Sequence, residues 1–193
     1  MRRAVIISVM CALASSAGAA EEASLEEAAK YLEAGETEKA AAELLAYGRG
    51  DPTAPLANQA LDGVFLLYKK KIPPEVLAPY VEALAVLADG YAGAAEAAWR
   101  EMAEEEELPW PVRGRAALLV AELNVSGDRL AVLERAWREC DDDTARLLGI
   151  ALAEAYVEAG QLEEARAVRG EFAERFPGDE GLGYFDYLDE EEK

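Results

Sequence analysis

A ten-residue pattern occurs twice in this chain and constrains its fold more than any other feature. The first copy reads Tyr31-Leu32-Glu33-Ala34-Gly35-Glu36-Thr37-Glu38-Lys39-Ala40. The second reads Tyr156-Val157-Glu158-Ala159-Gly160-Gln161-Leu162-Glu163-Glu164-Ala165, and six of the ten letters are identical. In both, a Tyr lies four residues before the Gly, an Ala five after it, and a Pro seventeen after it, at Pro52 and Pro177. Each member has a physical use. Glycine takes the left-handed backbone that turns one helix into the next, and proline stops the second helix. The small Ala lets the two helices approach closely. The pattern therefore predicts antiparallel helix pairs near residues 21–54 and 146–179.

This motif resembles the tetratricopeptide repeat (TPR), a helix–turn–helix unit of 34 residues. The steps from Gly93 to Gly127 and from Gly127 to Gly160 are 34 and 33 residues, close to that period. The step from Gly35 to Gly93 is 58, and Leu123 and Val132 stand where the Tyr and the small Ala belong, so the middle is degenerate. The resemblance implies an all-α fold, a right-handed α-solenoid of antiparallel helix pairs with about nine helices. It implies a single domain over residues 20–193, with 180–193 as a capping or acidic-aromatic tail.

Hydrophobic periodicity gives the helices in order. Leu25, Ala28, Ala29 and Leu32 form one stripe over residues 22–34, and a partner helix over 37–47 is ended by Gly48, Gly50 and Pro52. Thr53 caps a third helix with Pro55 in its first turn. That helix has a wide apolar face, Leu56, Ala60, Val64 and Leu67 with Leu61, Phe65 and Tyr68 beside them, which predicts an interior position. Ile72-Pro73-Pro74 breaks the chain, and Pro79 delays the next helix to 79–89. Gly90 and Gly93 turn into a fifth helix through Ala95, Ala98, Trp99 and Met102. Residues 116–123 form another helix, Ser126-Gly127-Asp128 turn, and Leu130, Leu133 and Trp137 stripe the next. At the end, Leu182, Tyr184, Phe185, Tyr187 and Leu188 need cover; they dock as a cap on the last pair or form a tail that binds something else.

The opening Met1-Arg2-Arg3, the apolar run 4–14 and the small residues Ala17-Gly18-Ala19 read as a secretory signal peptide over 1–19, which predicts a periplasmic or secreted protein. The run is about half of what a bilayer span needs. Without Arg2 and Arg3 the chain carries 17 basic against 39 acidic residues, a net charge of −22. That field repels nucleic acid and anionic lipid and favours solubility. Cys140 is the one cysteine outside the leader, so no internal disulfide forms, and the residue reads as a small apolar position on a helix face. Lys69, Lys70 and Lys71, the one basic cluster, suit a helix C-terminus. Glu104 to Glu107 read as a solvated helix end, and Asp141-Asp142-Asp143-Thr144 as a helix start, because the glycine and closing glutamate of a calcium loop are missing. Trp110, between Pro109 and Pro111, is either a wedge between helix pairs or an exposed binding aromatic.

Most catalytic chemistry is excluded. The chain has no His, which removes imidazole acid–base work, the common nucleophile triads and most zinc sites. Outside the leader only Ser24 and Ser126 remain as serines, neither in a nucleophile elbow, and no phosphate-binding glycine loop occurs. No metal, cofactor or enzymatic activity is expected. The enzymatic alternative is a carboxylate-dependent hydrolase acting on cell-wall glycan, since paired carboxylates suffice for that chemistry. A third reading is a structural assembly subunit that uses its ends. The favoured reading is an exported protein–protein interaction adaptor or scaffold. In TPR proteins the first helix of each pair lines a concave groove, and the resemblance implies that positions two and six before the turn glycine face it. Those are Glu33 and Ala29 in the first unit and Glu158 and Glu154 in the last, with Leu32 and Val157 as apolar neighbours. Such carboxylates select a partner segment presenting Lys or Arg.

Overall fold

The computed structural model describes residues 24–50, 56–140 and 144–186, and every regular element among them is helical. Nine α-helices are described: α1 Leu25–Glu33, α2 Thr37–Gly50, α3 Ala57–Tyr68, α4 Pro74–Ala88, α5 Ala92–Glu104, α6 Trp110–Leu123, α7 Arg129–Glu139, α8 Thr144–Glu158 and α9 Leu162–Arg175. A 3-10 helix, Glu180–Phe185, follows. None of these is long and apolar enough to cross a membrane. The proposed leader, the Thr53 cap, Asp141 to Asp143, Tyr187 and Leu188 lie outside the described residues. The chain divides into two compact units, Met1–Ala85 and Val86–Lys193, and the division falls inside α4.

In the first unit α1 starts on Ser24, whose hydroxyl accepts the Glu27 N–H at 3.4 Å, a side-chain N-cap. Its apolar stripe, Leu25, Ala28, Ala29 and Leu32, is buried with Ala40, Ala41 and Leu44 of α2. Helix α2 runs three residues past the expected stop. Gly48 is a packing residue there: a Cβ on it would sit 2.7 Å from Leu61 Cγ and 2.9 Å from the Ala57 carbonyl oxygen of α3. Helix α4 likewise starts earlier than expected, at Pro74. Pro79 is its sixth residue, and on an exposed side it only forgoes the bond to the Glu75 carbonyl.

In the second unit α6 begins at Trp110 rather than near 116. Pro109 occupies the cap and Pro111 the first turn, where a missing N–H costs nothing. The core is richest in aromatics at its C-terminal end. Trp137 of α7 and Phe172 of α9 stack with planes 7° apart and centroids at 6.3 Å, and Phe176 meets Phe172 edge-on at 5.1 Å. Gly149 of α8 lies against both Trp137 and Phe172, which leaves no room for a side chain. The 3-10 helix closes this end. Phe185 is 1% exposed and packs 5.1 Å from Phe172, whereas Tyr184, also expected to dock, is 65% exposed. Asp179 holds the segment by accepting the Gly181 N–H at 2.8 Å and Arg146 Nε at 2.6 Å, which keep its carboxyl below the usual range. Cys140 is fully buried.

The same turn occurs three times. At Gly35 (φ +71°) the Gly N–H donates to the Leu32 carbonyl at 3.0 Å and the Glu36 N–H to Tyr31 at 2.7 Å. At Gly160 (φ +74°) the partners are Val157 at 2.9 Å and Tyr156 at 2.8 Å. At Gly90 (φ +89°) they are Leu87 at 2.9 Å and Val86 at 3.1 Å. Each is a Schellman arrangement, which satisfies carbonyls that a helix end would otherwise leave open. Five residues beyond each glycine stands an alanine with zero exposure, Ala40, Ala95 or Ala165. The turn glycine in the middle of the chain is therefore Gly90, and Gly93 lies inside α5. The turn near Gly127 is different: Asn124 itself is left-handed (φ +47°), and Gly127 reaches only its carbonyl at 3.3 Å.

A Cβ on Gly160 would meet nothing within 4 Å, so its replacement tests the backbone conformation alone. Gly160→Val is expected to lower stability by about 1–3 kcal/mol in urea unfolding; a loss under a few tenths would show that the turn is not held left-handed. Phe185→Ala is expected to cost about 3 kcal/mol, while Tyr184→Ala leaves the unfolding midpoint nearly unchanged.

Candidate functional site

Helices α7, α8 and α9 of the second unit enclose a cleft of about 130 Å³. Helical spacing sets its walls. Glu134 and Arg138 on α7 are four apart, as are Leu152 and Tyr156 on α8, and Glu164, Val168 and Glu171 recur along one side of α9. The Tyr156 hydroxyl donates to Glu134 Oε1 at 2.7 Å, and Arg138 donates to Glu134 Oε2 at 3.0 Å. The Trp137 indole N–H donates to Glu171 Oε2 at 3.1 Å. The indole also stacks with Phe172 and has the Arg175 guanidinium 4.8 Å from its ring centre. The polar rim thus rests on the aromatic core. Burial, with the hydrogen bond to the Glu134 carboxylate second, pushes the Tyr156 phenol up to about 12. Tyr156 is therefore a neutral donor at physiological pH.

The residues expected to face a partner fall in two places. Ala29 and Leu32 are buried in the core of the first unit, packing rather than forming surface, and only Glu33 of that group is exposed. In the second unit Glu154 and Glu158 are exposed and Val157 is half-buried, on a side of α8 other than Tyr156. Leu147, 39% exposed, continues this face one helical repeat earlier. Glu158 is paired with the Arg129 guanidinium. The Tyr156 cleft was not foreseen, because that tyrosine read only as a letter of the turn motif. The signal was its hydroxyl: a half-buried Tyr requires a partner that Phe would not.

Several other charged groups are paired. Glu96, 4% exposed, accepts from the Val125 and Ser126 N–H groups, the Ser126 hydroxyl and Arg100, tying the turn after α6 to α5. Arg100 also grips Asp128 with two bonds of 2.8 Å, which hold that carboxyl below the usual range. Trp110 is half-buried under the Arg113 guanidinium, 4.0 Å from its ring centre, and Arg113 donates to the Ala103 carbonyl at 3.3 Å. Lys69, Lys70 and Lys71 follow the end of α3, where cations suit the helix dipole. Among the described residues no cluster of His, Cys, Asp or Glu could hold a metal ion.

No family model, curated protein or solved structure matches this chain.

The Tyr156 environment gives a pH test. A tyrosine in an unfolded chain ionises near pH 10, while the folded state keeps this proton up to about 12. The folded state then binds more protons between those values, so its stability falls as pH rises through that window. Around the phenol stand Glu134 and Arg138 of α7 and Glu164 of α9. In urea unfolding, Tyr156→Phe is expected to lose less stability between pH 10 and 12 than the wild type; parallel losses would show that the phenol is not held neutral.

Proposed function

We propose that this chain is an exported, TPR-like adaptor or scaffold without catalytic activity, whose antiparallel helix pairs wind as a right-handed α-solenoid. It acts in the periplasm or outside the cell by binding a Lys- or Arg-rich segment of a partner protein. The observation that carries this reading is the open face of α8, where exposed Leu147 and half-buried Val157 lie with the carboxylates of Glu154 and Glu158. An apolar strip edged by carboxylates complements a segment that alternates apolar and basic side chains. The chain's net charge of −20 attracts such a segment from a distance. The three matching turns support the repeat architecture, and the missing histidine leaves no imidazole for acid–base work.

Rim charges act mainly on association, and salt screens them beyond about 8 Å at physiological ionic strength. Glu154→Lys combined with Glu158→Lys is therefore expected to slow association with a labelled peptide alternating lysine and leucine, and to flatten its salt dependence in stopped-flow measurements. The melting temperature should move little, because the Glu158 side chain is 65% exposed and solvent screens its pair with the mostly buried Arg129. Wild-type association by the double variant at low salt would overturn the assignment of this face.

A further inference from the structure

We propose that Asn124 is the acceptor of an N-linked glycan, carried outward from the turn between α6 and α7. This rests on the export reading, because N-glycosylation acts on chains that enter the export pathway and marks their surface loops. Asn124-Val125-Ser126 fits the acceptor triplet, an Asn two residues before a Ser or Thr with no Pro between them. The chain has one other Asn, Asn58, and there Ala60 stands where the hydroxyl residue is needed.

The turn presents the reacting atom. Asn124 ends α6 with a left-handed backbone (φ +47°), its N–H donating to the Val120 carbonyl at 2.9 Å and its carbonyl accepting the Gly127 N–H at 3.3 Å. The Arg129 N–H donates to the side-chain carboxamide at 3.3 Å. A backbone N–H can meet only the oxygen of that group, so Oδ1 faces the start of α7 and Nδ2 points away from it. Nδ2 has no hydrogen-bond partner among the described residues. Asn124, Val125, Ser126 and Gly127 are all exposed, so a glycan on Nδ2 displaces no protein contact.

Transfer is a substitution at carbon. Nδ2 attacks C1 of the first sugar of an oligosaccharide carried on a polyprenyl diphosphate, with an N-oligosaccharyltransferase as catalyst. The new Nδ2–C1 bond replaces the C1–O bond, the diphosphate leaves with the electron pair, and Nδ2 gives up one proton to the catalyst's base. The Ser126 hydroxyl, the group that Ser and Thr share in the triplet, donates to Glu96 and accepts from Arg100 in the folded chain. The triplet is thus open to recognition before the turn closes on α5, while Nδ2 stays open afterwards. The glycan is attached during export, and the fold accommodates it.

The test uses the full chain, leader included, expressed in a host whose export pathway carries an N-oligosaccharyltransferase. The exported protein is weighed intact by mass spectrometry before and after digestion with peptide-N-glycosidase, which releases the glycan and leaves an aspartate at its site. The wild type is expected to carry the mass of one glycan and to lose all of it on digestion, with the new aspartate at position 124. Asn124→Asp keeps Oδ1 for the Arg129 N–H and tolerates the left-handed backbone, but lacks Nδ2; it should carry no added mass. Ser126→Ala and Ser126→Thr give an independent readout, since the first should abolish the glycan and the second keep it. Exported wild type without added mass, or added mass that persists in Asn124→Asp or Ser126→Ala, overturns the site and leaves the export reading standing. A chain held inside the host with residues 1–19 still attached removes the export reading and the site together.

Discussion

The left-handed glycine at the end of a helix is the constraint on which the rest of this structure depends. A helix ends with carbonyls that have no partner of their own. At Gly35, Gly90 and Gly160 a positive φ folds the chain back so that two successive N–H groups reach two of those carbonyls. A residue with a Cβ resists that conformation, and glycine does not. Five residues beyond each of these glycines the next helix carries an alanine with no exposure. One backbone conformation thus sets where the next helix begins and which side of it is buried.

At the C-terminal end, side-chain packing adds to what the turns supply. Gly149 brings α8 against Trp137 and Phe172, and Phe185 seals Phe172 from the other side. That aromatic core holds Trp137 with its N–H turned to the rim, where Glu171 receives it. Helix α8 presents the carboxylates of Glu154 and Glu158 on one face and the tyrosine of its turn on another.

The all-helical class, the α1 stripe, Gly35 and Gly160 were legible in the sequence because they follow from periodicity and turn chemistry. Gly90 was read with Gly93 as a turn, but its equivalence to Gly35 and Gly160 was hidden, because Val86 stands where the other turns have Tyr, while Gly93 lies a deceptive 34 residues before Gly127. The bonds that make the turn come from backbone, so the identity of the fourth residue before the glycine does not decide it. Ala29 and Leu32 show two kinds of sequence evidence in conflict. Motif analogy assigned them to a groove, whereas the 25, 28, 29, 32 spacing assigned them to the core, and the structure follows the spacing. Which tail aromatic docks could not be read, since Gly181 and Gly183 interrupt any period. The cleft was invisible for a simpler reason: its members are far apart in sequence, and only packing brings Glu134 to Tyr156.

The central claim, that one turn geometry organises the chain at three places, is most directly tested by amide hydrogen exchange. Glu36, Tyr91 and Gln161 each donate to the carbonyl five residues back, the wider-spanning of the two bonds in each turn. Their amides should be protected together, well above those of Glu38, Gly93 and Glu163, which lie in first turns where helical amides lack an acceptor within the helix. Protection at Glu36 and Gln161 with free exchange at Tyr91 would contradict the account, because the middle of the chain would then be built on another principle.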